Sequence, residues 1–334
     1  MYRVSEPFDL RCAKLIANLG LAGEGEVLAV KPLTGGVASD IAVVSLPGRE
    51  ICVKFALPKL KVAEDWRAPV HRNKAEYAWL MAAAACAPEN VPALYGWSPA
   101  DNGFAMEYLT GESVYLWKDA LLKSAPDQGE AEAVASVLGR IHAASTVPGF
   151  DQSPFRNRDD FYALRLEPYL NFTASKHPDL APQLSGLVDS LYAADSVLVH
   201  GDVSPKNILF RNGTPIILDA ECATMGDASF DLAFCLNHLI LKALHLPASR
   251  RTLSASVLRF WARYEPEISW EDPTALEARV TALLPALMLA RVDGKSPVEY
   301  LSEQERGRVR RLAIPLIAGP ARNLTDLITV IDKD

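Results

Sequence analysis

No apolar run approaches the ~18–20 residues that a membrane-spanning helix needs; the longest are broken by charges or prolines. A membrane partner is therefore not expected. Lys and Arg never gather into a run, and no nucleic-acid-binding motif occurs. With a formal net charge of −7 over 334 residues, sequence-independent binding to a phosphate backbone is disfavoured, and no nucleic-acid partner is expected. Cysteine is sparse. The five cysteines, Cys12, Cys52, Cys86, Cys222 and Cys235, are odd in number, scattered and mostly flanked by apolar residues. That pattern argues against a disulfide framework or a zinc site and for small core residues in a reducing compartment. Met1 to Glu6 lack the apolar core and cleavage site of a signal peptide, so cytoplasmic residence is expected. Internal repeats and low-complexity tracts are also missing, which excludes a solenoid. What remains is a chain with 49% hydrophobic residues, long enough for two domains with substantial cores. Oligomeric state is not legible.

Chemistry concentrates in His200-Gly201-Asp202-Val203-Ser204-Pro205-Lys206-Asn207, followed by Ile217-Leu218-Asp219-Ala220-Glu221. From Asn207 the chain runs through an apolar stretch, turns at Arg211-Asn212-Gly213-Thr214, and returns to Asp219. Asn-Gly between apolar runs is a strong hairpin signal, so Asn207 and Asp219 are expected side by side. An amide carbonyl beside a carboxylate is hard oxygen chemistry, suited to a Mg²⁺ that keeps several waters and shares phosphate oxygens. Asp202, in the turn just before, is placed to accept a proton from a hydroxyl.

Asn207 follows Asp202 by five positions, the spacing of the protein-kinase catalytic loop, with a later Asp completing the set. Gly201 stands where protein kinases have Arg, and with His-Gly-Asp the segment strongly resembles the aminoglycoside phosphotransferase and choline kinase-like small-molecule kinases. The resemblance implies an α+β, bilobal protein kinase-like fold, with a small antiparallel-sheet lobe (1–108) and a larger, mostly helical lobe (109–334). It implies Asp202 as catalytic base, Asn207 and Asp219 as Mg²⁺ ligands, ATP as phosphoryl donor and a small hydroxylated molecule as acceptor. Asp219-Ala220-Glu221 departs from the Asp-Phe-Gly of protein kinases and resembles the Asp-x-Glu variant of methylthioribose kinases, where the Glu can join the metal. In a strand these two carboxylates would share a face, so Glu221 is a further candidate ligand.

Upstream, strands are expected at Val27 to Val30 and Ile41 to Val44, around a loop containing Gly35 and Gly36 that is suited to lie over nucleotide phosphates. Lys54, in the apolar strand Glu50 to Phe55, needs an anion, because an unpaired buried ammonium is costly. In kinases that anion is a phosphate plus a helix Glu. Glu76, in a helix expected from about Val70 to Ala85, is preferred over Glu50 and Glu64, since Tyr77, Leu80 and Met81 mark an inward stripe beside it. Strands follow at Pro92 to Trp97 and Gly103 to Leu109. The second of these resembles the kinase hinge, which implies that the backbone from Glu107 to Leu109 meets the purine, and backbone recognition leaves ATP and GTP undistinguished.

The rest is mostly helical, with helices expected at Asp127 to Ser145, Asp159 to Phe172, Leu180 to Ala194, Phe230 to Ala243, Arg251 to Glu265, Pro273 to Val292 and Val298 to Ala318. His142 is expected to be packed and hydrogen-bonded, and Asp227 and Asp231 to be structural, as cap and loop brace. Lys206 either approaches a phosphate or faces solvent. Arg291 and Lys295 flank an expected helix C-cap at Gly294, or else line an acceptor pocket for an acidic or sugar-like substrate. The acidic net charge on its own would suit a cationic acceptor such as an amino alcohol or an aminoglycoside.

Overall fold

The computed structural model describes residues 6–33, 39–57 and 69–334. Gly35 and Gly36, and the competitor Glu64, lie outside the described residues. The chain opens with helix α1 (Phe8–Asn18) and strands β1 (Ala29–Leu33), β2 (Ser39–Leu46) and β3 (Arg49–Ala56). Helix α2 (Arg72–Cys86) and strands β4 (Leu94–Ser98) and β5 (Gly103–Glu107) complete one antiparallel sheet of order β1-β2-β3-β5-β4. Pro32 sits in β1, an edge strand, where its missing N–H costs no ladder bond to an outer neighbour.

Alternation along the central strand β3 decides what each face meets. Ile51, Val53 and Phe55 pack with Cys12, Leu15 and Ile16 of α1. Cys52 joins the core that holds Trp79, Leu80 and Ala83 of α2. Lys54 thus points to the α2 side. Buried positions of α2 run Ala75, Glu76, Trp79, Leu80, Ala83, whereas Met81 is exposed. The inward stripe is therefore one residue out of phase with the expectation at Met81, because Trp79 takes the core position.

Beyond Glu107 come β6 (Val114–Leu116), α3 (Trp117–Leu122), α4 (Glu130–Ser145), α5 (Arg158–Phe161), α6 (Phe172–Lys176), α7 (Ala181–Ala193) and β7 (Val197–Val199). The hairpin β8 (Ile208–Arg211) and β9 (Thr214–Ile217) precedes β10 (Thr224–Gly226), α8 (Ala228–His245), α9 (Arg250–Tyr264), α10 (Pro273–Asp293), α11 (Glu303–Ala318) and α12 (Leu324–Lys333). This is the bilobal protein kinase-like arrangement, a small antiparallel-sheet lobe followed by a larger, mostly helical one. Helix α8 is buried along almost its whole length, which its all-round apolar sequence requires. Among the described residues no single helix is long and apolar enough to cross a membrane.

Two helices differ from expectation. The stretch expected as one helix over Asp159 to Phe172 is α5, then a π-helix over Tyr162–Asn171, then α6. Pro168 lies inside it and has no N–H to give an α-helical bond, so the wider turn accommodates it. Helix α11 starts at Glu303 rather than Val298. There the Ser302 side chain accepts from the Glu305 N–H while the Glu305 carboxylate accepts from the Ser302 N–H, a reciprocal cap. Gly294 ends α10, but with φ −77° rather than a left-handed conformation.

Candidate active site

The hairpin pairs Ile208 with Ile217, and the Leu218 N–H donates to the Asn207 carbonyl at 2.9 Å. Asn207 and Asp219 are thereby brought to one end of the ladder. Asp219 adopts φ +71°, a left-handed conformation that Asp tolerates better than most residues and that is often retained at functional sites.

The loop before the hairpin is fixed from behind. Asp231, one turn into α8, accepts from the His200 N–H at 2.6 Å and the Gly201 N–H at 2.8 Å. His142 Nε2 lies 3.3 Å from the same carboxylate and Nδ1 lies 2.6 Å from the Tyr264 hydroxyl. Asp227 caps α8 through the Ser229 N–H. Gly201 has φ +78°, and a Cβ there would stand 2.8 Å from Cys222 Cβ and 2.9 Å from its carbonyl oxygen. No side chain fits, which is why glycine replaces the Arg of protein kinases. The His200 Nδ1 accepts from the Asp202 N–H at 3.1 Å, and Nε2 lies 3.0 Å from the Leu218 carbonyl. Nε2 therefore carries the proton of a neutral ring. Burial lowers the His200 pKa, against the pull of Asp231 and Asp202.

Asp202 is buried. Its Oδ2 meets Arg165 Nη2 at 2.9 Å and Lys206 Nζ at 3.2 Å, whereas Oδ1 has no hydrogen-bond partner. Burial would raise its pKa, but Lys206 and Arg165 outweigh it and hold the carboxyl below the ordinary value. An ionised carboxylate with one oxygen clamped and the other vacant of partners can accept a proton.

On the other side, Lys54 donates to Glu76 Oε1 at 2.7 Å and pairs with Asp219 Oδ1. Burial works against its charge; Asp219 and Glu76 more than compensate, so its pKa is raised. Glu50 lies at the exposed start of β3, bonded to Ser45, so Glu76 is the helix partner. Glu221 faces a different cation, accepting from Arg72 Nε at 2.8 Å.

At the end of β5 the Glu107 N–H is spent on the Ala93 carbonyl at 2.8 Å, and its carboxylate pairs with Arg211 at 2.5 Å. Lys206 turns to Asp202 rather than to solvent alone. Lys295 pairs with Glu167 at 2.8 Å. Arg291 is buried against Tyr169 and Ser296.

Two residues escaped the sequence reading. Arg165 reaches Asp202 from within the π-helix; the available signal was an Arg between Leu164 and Leu166, just before Pro168. Arg72, fully buried at the start of α2, holds Glu221 and the carbonyls of Pro69 and Leu57.

Among the described residues there is no cluster of three or more His, Cys, Asp or Glu side chains placed to hold a metal. The smaller oxygen set does fit a Mg²⁺ shared with phosphates. Asn207 Nδ2 is tied to the Asp202 carbonyl at 3.0 Å, its amide oxygen has no hydrogen bond among the described residues, and Asp219 keeps Oδ2 beside the oxygen that meets Lys54. Such two-ligand sites are usual for a cation completed by water and phosphate.

A model of the phosphotransferase enzyme family matches residues 29–268, which include the whole of this constellation. The chain belongs to that family. Methylthioribose kinase of Escherichia coli O45:K1 is 24% identical over 314 residues, covering 81% of this chain and 74% of that protein. N-acetylmuramate/N-acetylglucosamine kinase of Pseudomonas putida is 26% identical over 157 residues, 46% of this chain and 45% of that one. A choline/ethanolamine kinase family protein from Mesorhizobium loti shares the fold at TM-score 0.56 and 16% identity, over 96% of this chain and 98% of that chain. The protein is a small-molecule kinase, a phosphotransferase.

Proposed function

We propose that the protein transfers the γ-phosphoryl group of ATP to a hydroxyl of a small molecule, in a single in-line step. Acceptors that this reading admits are a metabolic sugar, an amino alcohol and an aminoglycoside. Asp202 accepts the hydroxyl proton at Oδ1, and Arg165 and Lys206 keep Oδ2 in place. Lys54, set by Glu76, offsets phosphate charge, and positioning with electrostatics supplies most of the rate. When bound, Mg²⁺ held by Asn207 and Asp219 would neutralise phosphate charge. Glu221 would join it only by leaving Arg72. In this reading the purine meets the backbone from Glu107 to Leu109, beside a lobe boundary at 108/109. The structure of amicoumacin kinase in complex with AMP-PNP, Ca²⁺ and Ami supports a nucleotide in such a fold; it is 13% identical with TM-score 0.57, over 87% of this chain and 89% of that chain.

The observation that carries this reading is the unpartnered Asp202 Oδ1, buried beside the Lys54–Asp219 pair. Incubation with Mg-ATP and a panel of hydroxylated metabolites, read by mass spectrometry, tests it. One added phosphate on an acceptor, lost in Asp202→Asn, is expected; absence of any nucleotide binding and of any acceptor product sinks it.

A further inference from the structure

Helix α8 braces the catalytic loop at Asp231 and then carries Phe234, His238 and Lys242 at four-residue intervals, on one face and about 6 Å apart along the axis. The Arg165 guanidinium that holds Asp202 lies 5.9 Å from the Phe234 ring centroid, and the His238 ring lies 5.6 Å from that ring on its other neighbour. Tyr169 packs on Phe234 at 5.6 Å, and Arg291 lies 5.6 Å from the Tyr169 ring. A continuous run of packed side chains therefore links Asp202 to a group of cations.

Those cations are short of carboxylates. Lys118 has Glu299 and Lys295 has Glu167. Lys242, 1% exposed, makes no hydrogen bond or ion pair among the described residues; its ammonium lies 5.0 Å from the Tyr300 ring centroid. Arg291 is buried and its Nε has no partner, and neither have His238 Nε2 and the Tyr300 hydroxyl. Burial together with the nearby charges of Arg291 and Lys242 holds His238 neutral. A buried charge without an anion is costly to keep, and four donors left open in one place describe the imprint of an anion. Tyr300 is half-buried and its neighbour Glu299 is exposed, so the group lies just beneath the surface.

Resting on the kinase reading above, we propose that the acceptor carries, at the end away from its reacting hydroxyl, a carboxylate or phosphate that docks on Lys242, Arg291, His238 and Tyr300. The site thus selects an anionic hydroxylated metabolite, and the cationic acceptor suggested by the net charge of the whole chain is not its partner. The separation of Phe234 from Lys242 along α8, about 12 Å, suits a molecule of sugar-acid or sugar-phosphate size.

Two experiments test this. In the first, thermal denaturation of the full chain is followed in sodium phosphate or sodium acetate against sodium chloride at equal ionic strength. A rise in Tm that Lys54→Met keeps and Lys242→Met loses is expected; equal shifts in wild type and Lys242→Met, or none in either, overturn the proposal. This readout needs no turnover, so it stands or falls apart from the kinase reading. In the second, kcat/KM is compared for ribose 5-phosphate against ribose and for gluconate against glucitol. Preference for the charged member of one pair by about tenfold or more, collapsing in Lys242→Met, supports the proposal and tells phosphate from carboxylate. Better turnover of neutral acceptors or amino alcohols overturns it.

Discussion

The two sides of Asp202 are built on opposite charge plans. Toward the small lobe, the buried cations among the described residues have their carboxylates: Lys54 holds Glu76 and Asp219, and Arg72 holds Glu221. On the other side, Lys242 of α8 has an aromatic ring instead, and Arg291 of α10 has a ring and hydroxyls. Paired charges preorganise a site whose ligand brings its own counter-cation, as Mg-nucleotide does. Unpaired ones cost stability in the free protein and recover it only with an anion. The donor and acceptor sides proposed above rest on this difference.

The comparison breaks most directly at its pivot. Asp202→Asn keeps the shape but removes the charge that Arg165 and Lys206 clamp, so transfer should fall by about 10²–10⁴-fold with nucleotide affinity retained. Turnover near wild type would remove Asp202 from the mechanism.

On the paired side, Lys54→Met should lower turnover by roughly 10²-fold or more, and Glu76→Gln by less. Because both act through one buried contact, the double variant should be no worse than Lys54→Met alone. Additive losses in that cycle would mean that Glu76 acts independently of Lys54.

A subtler test lies at Glu221. Its contact with Arg72 predicts that Glu221→Ala lowers stability by about 2–3 kcal/mol, while Asn207→Ala and Asp219→Ala shift the Mg²⁺ dependence of nucleotide binding. Should Glu221→Ala move the Mg²⁺ titration as far as Asp219→Ala does, Glu221 is a ligand and the Arg72 pair opens when nucleotide binds.

Much of this was legible in the sequence, for reasons that differ by residue. The hairpin from Asn207 to Asp219 is local: a turn dipeptide between apolar runs fixes which residues meet. Lys54 and Glu76 were legible because a buried ammonium demands a carboxylate and few were within reach. Arg165 was not, since it lies in a π-helix that period-3.6 reasoning does not anticipate around Pro168. Nor was the open charge of Lys242. Its place in an apolar stretch suggested only a helix, and whether a buried lysine has a partner is decided by residues from Lys118 to Tyr300 that no local pattern joins.

The smallest expected effect is the most discriminating for the unpaired side. Burial, then the charges of Lys118 and Arg291, push the Lys242 pKa down from 10.5 to about 7. Between those values the unfolded chain binds more protons than the folded one, so this residue makes stability rise with pH across that window; below about pH 7 its full penalty stands. Lys242→Met keeps the apolar stem and removes the charge. Its gain should be about 1–2 kcal/mol, limited because the contact with the Tyr300 ring is lost too. The gain in Tm should be largest near pH 6 and shrink toward pH 10. A variant less stable than wild type at pH 6 would mean that the ammonium is already compensated in the free protein, and the two sides of Asp202 would no longer differ in kind.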